Sequence, residues 1–440
     1  MSSFMEFVEN RPPRILVFTM TSWNSKVGAN TWQSLVSHYN SEDLANIYLR
    51  DEIPDSQVCS RYFCISENRV IKSIVNRKIK TGRKITAQPL STAEKSQDLQ
   101  AHNQRYAKMK KKRRYSMLLA RELLWKCGKW HTNELDAFLD EFKPDIILHG
   151  MDGYIHMNRI VRFAINRTGA KAIGYIWDDN FTYKQSKKIG YKVYRYFQRR
   201  SLKKLAKQTD SFFAITPKTK SEADSFFGID CTVLSKPLNR AVEAEDYEAI
   251  SFPLHMLYTG NLLIGREKSL QKISSALKEL NKEQTMLVLD VFTQTHLTDE
   301  YLEQVQNEFC RIHPPISQAE VLELQKNSDV LLFLEDMSDD NLMARLSFST
   351  KITDYFSAGK CIFAIGNRDL APMEYFSGTE SAIVANCDEE ISSGLDKLLH
   401  RDELAKYAKN AARCGMENHN EKKILRTFDE VILNVHKREE

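Results

Sequence analysis

Apolar runs of strand length recur along the whole chain, and most consecutive pairs are separated by enough residues for a helix. The first half carries Arg14–Met20, Ala45–Leu49, Arg61–Ile65, Pro144–Gly150, Lys171–Trp177, Ser211–Thr216 and Gly228–Leu234; the second carries His255–Thr259, Met286–Val291, Asp329–Leu334 and Cys361–Ile365. Parallel strands need a crossover between them, whereas antiparallel strands join by tight turns. This alternation therefore predicts α/β architecture with doubly wound parallel sheets. At 440 residues the chain exceeds one ordinary core and suits two domains of about 200 residues each. The segment around Glu243, Glu245, Asp246 and Glu248 has no apolar period and reads as a linker. The expected division is a first domain over 1–238, with a basic helical insert over about 68–128, a linker over 239–252, a second domain over 253–416 and a final helix over 417–440.

Composition and motifs remove several classes. With 42% hydrophobic and 28% charged residues, the chain is globular rather than disordered. No apolar run approaches the roughly 18 residues of a membrane span. Met1–Asn10 lacks the basic start and apolar stretch of a secretory signal, so a cytoplasmic location is expected. The eight cysteines form no C-x-x-C pair, which predicts reduced, mostly buried thiols and no metal site. No G-x-x-x-x-G-K-[ST], H-E-x-x-H or G-x-S-x-G motif occurs, and no G-x-G-x-x-G follows the first strand.

Charge is uneven. Lys108, Lys110, Lys111, Lys112, Arg113 and Arg114 sit beside Tyr106, Met109, Tyr115, Met117, Leu118, Leu119 and Trp125 on an expected helix. A basic helix with an apolar face suits an anionic membrane surface, through Lys108–Arg114. A solvated surface helix accounts for the same pattern. Nucleic acid is not an expected partner, because no recognition motif accompanies the patch.

Leu346–Gly366 is the densest candidate for chemistry. Ser349 and Thr350 are good N-cap residues, Gly359 stands where a C-cap belongs, and Cys361–Ile365 is a buried strand. A helix start beside Lys351 offers N–H groups, a positive dipole end and an ammonium, a combination that suits a diphosphate. One turn on, Asp354 has the chemistry to accept from a sugar diol. The same residues also make an ordinary loop–helix–strand unit.

Ser349-Thr350-Lys351-Ile352-Thr353-Asp354-Tyr355 followed by Ala358-Gly359-Lys360 resembles the "S-K-x-x-E-Y-x-x-x-G-K-P" signature of GT-B glycosyltransferases, nearest to the GT4-like group that builds bacterial capsule and surface polysaccharides. Asp354 stands where that family has Glu, Cys361 where it has Pro, and Leu346 where a wider E-x7-E pair begins. The resemblance implies two Rossmann-like doubly wound domains facing a central cleft, with the final helix packing back toward the first domain. It implies transfer from a nucleotide-diphosphate sugar to a saccharide acceptor, lipid-linked or a polysaccharide precursor, with retention and without a metal or cofactor. On it, Gly260, Asn261, Arg266, Ser349, Thr350 and Lys351 hold the donor diphosphate and Asp354 the ribose. His313–Ser317 with Glu320-Val321 is similar to the family's base-reading turn, which singles out Ile316 and Ser317. The acidic loop Glu335–Asn341 reads as solvated, with a lesser prospect of reaching the donor sugar. In the first half, His149, Asp178 and Asp179 lie at strand ends and are the expected catalytic or acceptor-orienting residues. The two aspartates serve equally well as caps for the next helix. A non-catalytic GT-B partner subunit is the alternative reading.

Overall fold

A computed structural model describes residues 11–24, 31–86, 115–238 and 242–437. Contacts divide the chain into two compact units: Met1–Tyr183 with Lys187–Leu234 and Leu425–Glu440, and Lys184–Ser186 with Ser235–Ile424.

The first unit runs β1 (Ile15–Thr19), α1 (Thr31–Val36), β2 (Leu44–Tyr48), β3 (Arg61–Ile65), α2 (Glu67–Lys72), β4 (Gly82–Ile85), α3 (Tyr115–Cys127), α4 (Asn133–Phe142), β5 (Ile146–Gly150), α5 (Ile155–Thr168), β6 (Lys171–Ile176), α6 (Ile189–Ala206), β7 (Ser211–Ala214), α7 (Pro217–Phe227) and β8 (Thr232–Val233). Its sheet has the order β4-β3-β2-β1-β5-β6-β7-β8. Every residue of β1, β2 and β5 is buried, as expected when helices cover both faces. One strand departs from the all-parallel expectation: β4 pairs antiparallel to β3, Tyr62 opposite Ile85 and Ile65 opposite Gly82. Gly82–Ile85 falls in the stretch expected as a basic helical insert; it forms an edge strand instead, whose charged side chains discourage further pairing.

The second unit runs β9 (Leu254–Thr259), α8 (Arg266–Leu280), β10 (Leu287–Phe292), α9 (Asp299–Val305), β11 (Cys310–His313), α10 (Gln318–Asn327), β12 (Val330–Leu334), α11 (Lys351–Ala358), β13 (Cys361–Ile365), α12 (Ala371–Thr379), β14 (Ile383–Ala385), α13 (Asp388–Leu398), α14 (Arg401–Asn418) and α15 (Glu421–His436). From Leu425 on, α15 belongs with the first unit. The strand order is β11-β10-β9-β12-β13-β14, and every pairing is parallel. Strand succession reverses direction between β9 and β12, and the crevice at such a reversal, at the strands' carboxyl ends, is where open α/β sheets hold ligands.

The segment read as a linker is in part docked. Tyr247 is 5% exposed; its hydroxyl donates to the Asp329 carbonyl and accepts from the Cys361 amide. The Glu245 amide bonds the Gly359 carbonyl at 2.8 Å. Gly359 takes a left-handed conformation (φ 68°), and a Cβ there would collide with the Glu243 carbonyl. The acidic side chains hid this docking, because a single aromatic anchor leaves no periodicity.

Six cysteines are buried, Cys387 is half-buried and Cys127 is exposed; none is disulfide-bonded. Among the described residues, no helix is long and apolar enough to cross a membrane.

Candidate functional site

At the reversal point of the second sheet, the end of β9 meets the end of β12. β9 gives way to Gly260, whose φ of 148° is open only to glycine, and a Cβ there would collide with the Lys351 ammonium. The loop is pinned by Tyr258, whose hydroxyl donates to the Asn261 carbonyl at 2.6 Å. Gly265, at φ 91°, caps α8 where a Cβ would strike the Asp336 carboxylate. Arg266 is therefore the first residue of α8 and turns toward the end of β12.

Arg266 is already engaged. Its Nη2 and Nε meet the Glu335 carboxylate at 2.6 and 3.1 Å, and Nε also donates to the Leu334 carbonyl. Its Nη1 donates to Asn261 Oδ1 at 2.7 Å. The pair is largely buried, with side chains 13% and 4% exposed, and Glu335 holds the guanidinium charged by raising its pKa. Glu335 and Asp336 are both 3% exposed, which corrects the solvated-loop reading at its first two residues, while Asp339 and Asp340 are exposed. Asp336 accepts from Ser338 and from Asn341, whose amide also reaches the Ile264 carbonyl. The acidic loop thus shapes the site from within.

Lys351, the first residue of α11, is the other cation. Its Nζ lies 4.4 Å from the centre of the Tyr258 ring and 3.4 Å from the Tyr258 hydroxyl. Among the described residues no carboxylate pairs with it. Burial, and then the neighbouring Arg266, lower its pKa from 10.5 to about 7. Ser349 accepts weakly from the Lys351 amide at 3.4 Å, and Thr350 occupies the cap position without a side-chain cap bond. That differs from the expected capping role of Thr350: its backbone is helical, which turns the hydroxyl away from the first-turn amides. One turn on, Asp354 faces Lys236, a 6%-exposed lysine whose pKa burial lowers while Asp354 opposes the shift.

Gly260, Asn261, Arg266, Ser349, Thr350 and Lys351 therefore belong to segments that converge on one crevice, with Asp354 a turn away. The base-side residues are different in kind. Ser317 is the N-cap of α10 in a reciprocal capping box with Glu320, so its hydroxyl is committed to the helix. Ile316 is half-buried, next to His313, which stacks on Phe292 and pairs with Asp290 at 2.6 Å.

In the first unit, His149 lies inside the sheet rather than open at the strand end. It is fully buried, its Nδ1 lies 3.2 Å from the Gly150 carbonyl and its Nε2 3.1 Å from the Thr209 hydroxyl. Burial lowers its pKa to about 4, so it is a neutral packing residue. Asp179 is 1% exposed; its carboxylate accepts from the Thr182 amide and hydroxyl, and its carbonyl accepts from Arg195. It caps the turn at Phe181 and Thr182 rather than the next helix, which begins at Ile189 without a side-chain cap. Asp178 keeps a place at the end of β6 and faces Asp152, a residue that no sequence pattern singles out. Burial and the Asp178 charge push Asp152 up to about 7, against a hydrogen bond from Trp177. The basic stretch Lys108–Arg114 lies outside the described residues.

Glu335, Tyr258 and Asp152 were missed for one reason. Each matters through a partner distant in sequence or through the strand end it occupies, neither of which a local pattern records.

No protein-family model matches the chain, and no curated protein sequence matches it. Solved structures do. An α,α-trehalose 6-phosphate synthase from Burkholderia multivorans superposes with a TM-score of 0.59 at 9% identity, covering 96% of each chain. The N-terminal domain of a Candida albicans trehalose-6-phosphate phosphatase gives 0.59 at 11% identity over 97% of each chain. TarM gives 0.51 at 9% identity over 72% of this chain and 58% of its own. At such identities the likeness establishes the fold, two Rossmann-like units of the GT-B type.

Proposed function

We propose that this protein is a glycosyltransferase that moves a sugar from a nucleotide-diphosphate donor to a saccharide acceptor, with the second unit binding the donor. The observation that carries this reading is Lys351: a deep ammonium with no carboxylate in ion-pair contact among the described residues, at the strand-order reversal, beside a helix N-terminus and above a glycine that admits close approach. A diphosphate supplies the negative charge this lysine lacks. Arg266, oriented by Glu335, has donors left over from its pair and adds positive charge nearby. Asp354 takes the ribose diol and Ile316 packs beside the base; Ser317 contributes through its helix rather than by contact.

In the reaction, charge develops on the leaving diphosphate, and Lys351 with the N-terminus of α11 stabilises it more in the transition state than in the ground state. This cationic cradle does the work of a metal, and the leaving group receives the acceptor proton in a retaining transfer. The acceptor meets the first unit, where Asp178 and the neighbouring Asp152 orient its hydroxyl. The GT4-like signature directs the reading to a surface-polysaccharide precursor as acceptor. The fold itself already carries UDP-forming sugar transfer in the trehalose-phosphate synthase of Burkholderia vietnamiensis.

The test is a thermal-shift panel of UDP, GDP, ADP, TDP and CMP on the wild type and Lys351→Met. A ligand at a hundred times its dissociation constant adds about 2.7 kcal/mol of stability. One diphosphate should raise the wild-type melting temperature and leave the variant unmoved. No response to any nucleotide would support the non-catalytic subunit instead.

A further inference from the structure

A cavity of about 500 Å³ opens in the first unit among α3, α5 and α6, away from the strand ends considered so far. Each helix contributes both an apolar and a cationic residue to it at helical spacing. These are Leu119, Leu123 and Lys126 on α3, Ile155, Arg159 and Arg162 on α5, and Phe197, Arg200 and Lys204 on α6.

The cations outnumber the acids around them. Among the described residues none of Lys126, Arg159, Arg162, Arg200 and Lys204 forms an ion pair. Arg159 lies over the Trp130 ring, Arg162 donates to Gln208 and Arg200 donates to the Tyr196 hydroxyl, all neutral partners. The sole acid in the wall, Glu122, is turned to His156, whose amide and Nδ1 it bonds at 2.9 Å each. Five positive charges thus converge on one cavity, and the one acid among its described lining residues, Glu122, acts on Arg159 while hydrogen-bonded to His156.

Beside the cavity, exposed apolar side chains are interspersed with Lys188 and Lys192. The α6 stripe that ends in Arg200 and Lys204 begins with Ile189, Val193, Tyr196 and Phe197, and Ile189 is 80% exposed. On α3, Leu123 is 60% exposed and Leu124 lies beside it. A free phosphate has no use for such a border, whereas a lipid has both a phosphate and a chain.

We propose that this cavity binds the phosphate headgroup of an anionic membrane lipid, with the α3 and α6 apolar side chains seated at the level of the acyl chains. The inference uses no residue of the donor crevice and stands apart from the transfer reaction.

The test is flotation of the full chain with phosphatidylcholine vesicles, with and without phosphatidylglycerol. Binding should require the anionic lipid. Lys126→Gln/Lys204→Gln removes two exposed charges without touching the core and should lower partitioning about 30-fold. Arg159→Gln/Arg200→Gln should do the same, and Ile189→Ser/Val193→Ser should weaken binding while leaving the preference for anionic lipid. Inorganic phosphate should not displace the vesicles, and every variant should keep its thermal response to nucleotide. Equal binding to neutral vesicles would overturn the proposal. So would displacement by inorganic phosphate, or binding that survives both charge variants and is lost only when Lys108–Arg114 is neutralised.

Discussion

Lys351 makes the donor reading quantitative. With a pKa of about 7 in the free protein, half of the Lys351 side chains are charged at pH 7 and only about 3% at pH 8.5. A bound diphosphate favours the charged form and raises its pKa. Binding must then supply the missing proton, and the apparent dissociation constant should rise about 15-fold between pH 7 and pH 8.5. The terminal phosphate, with a pKa near 6, is already ionised over this window and adds no slope of its own. Isothermal titration with the nucleotide that stabilises the protein measures the effect directly. Lys351→Arg should bind with little pH dependence, because a guanidinium stays charged throughout. The same shift acts on stability with a definite sign. Because the folded pKa lies below the unfolded value, the penalty for burying the ammonium is fully present below pH 7 and is relieved between pH 7 and 10.5. Lys351→Met should therefore be more stable than the wild type at pH 6, by on the order of 3 kcal/mol, with the margin closing toward pH 10.5. A wild-type affinity that is flat with pH, or a slope that persists in Lys351→Met, would refute this reasoning.

Three further outcomes follow from the geometry. Glu335→Gln leaves the Arg266 guanidinium buried beside a neutral amide and should cost about 3 kcal/mol in chemical denaturation, with weaker nucleotide binding because the guanidinium is no longer oriented. His149→Asn should retain transfer activity while flattening the acid limb of stability. His149 stays neutral in the fold down to about pH 4, so its contribution is present above pH 6.5 and is lost as pH falls from 6.5 to 4, about 2–3 kcal/mol in thermal unfolding. Ser317→Ala breaks a capping box and should lower stability by about 1 kcal/mol while leaving the nucleotide dissociation constant within twofold.

The sheets were legible because buried parallel strands are continuous apolar runs, which stand out against amphipathic helices. Gly82–Ile85, Cys310–His313 and Ile383–Ala385 escaped because each is a short edge strand without such a run. The burial of His149 was hidden for a related reason: in a strand buried on both faces, nothing in the run Ile146–Gly150 tells which side chain reaches the strand's open end. The cradle residues Gly260 and Lys351 were visible through their motif. Glu335, however, lies 69 residues from the arginine it pairs with, in a loop whose run of acids looks solvated when read locally. Asp152 stands one strand away from Asp178, and only the parallel pairing of β5 with β6 makes them neighbours. Distance along the chain, rather than weak chemistry, concealed both.

The central claim is that a nucleoside diphosphate binds at the reversal point of the second sheet. Hydrogen exchange measured with and without the stabilising nucleotide tests it segment by segment. Protection concentrated in Tyr258–Arg266 and Ser349–Gly359, and absent from α3 and α6, is the predicted result. Binding that leaves those two segments unprotected, or protects a different part of the chain, would contradict it.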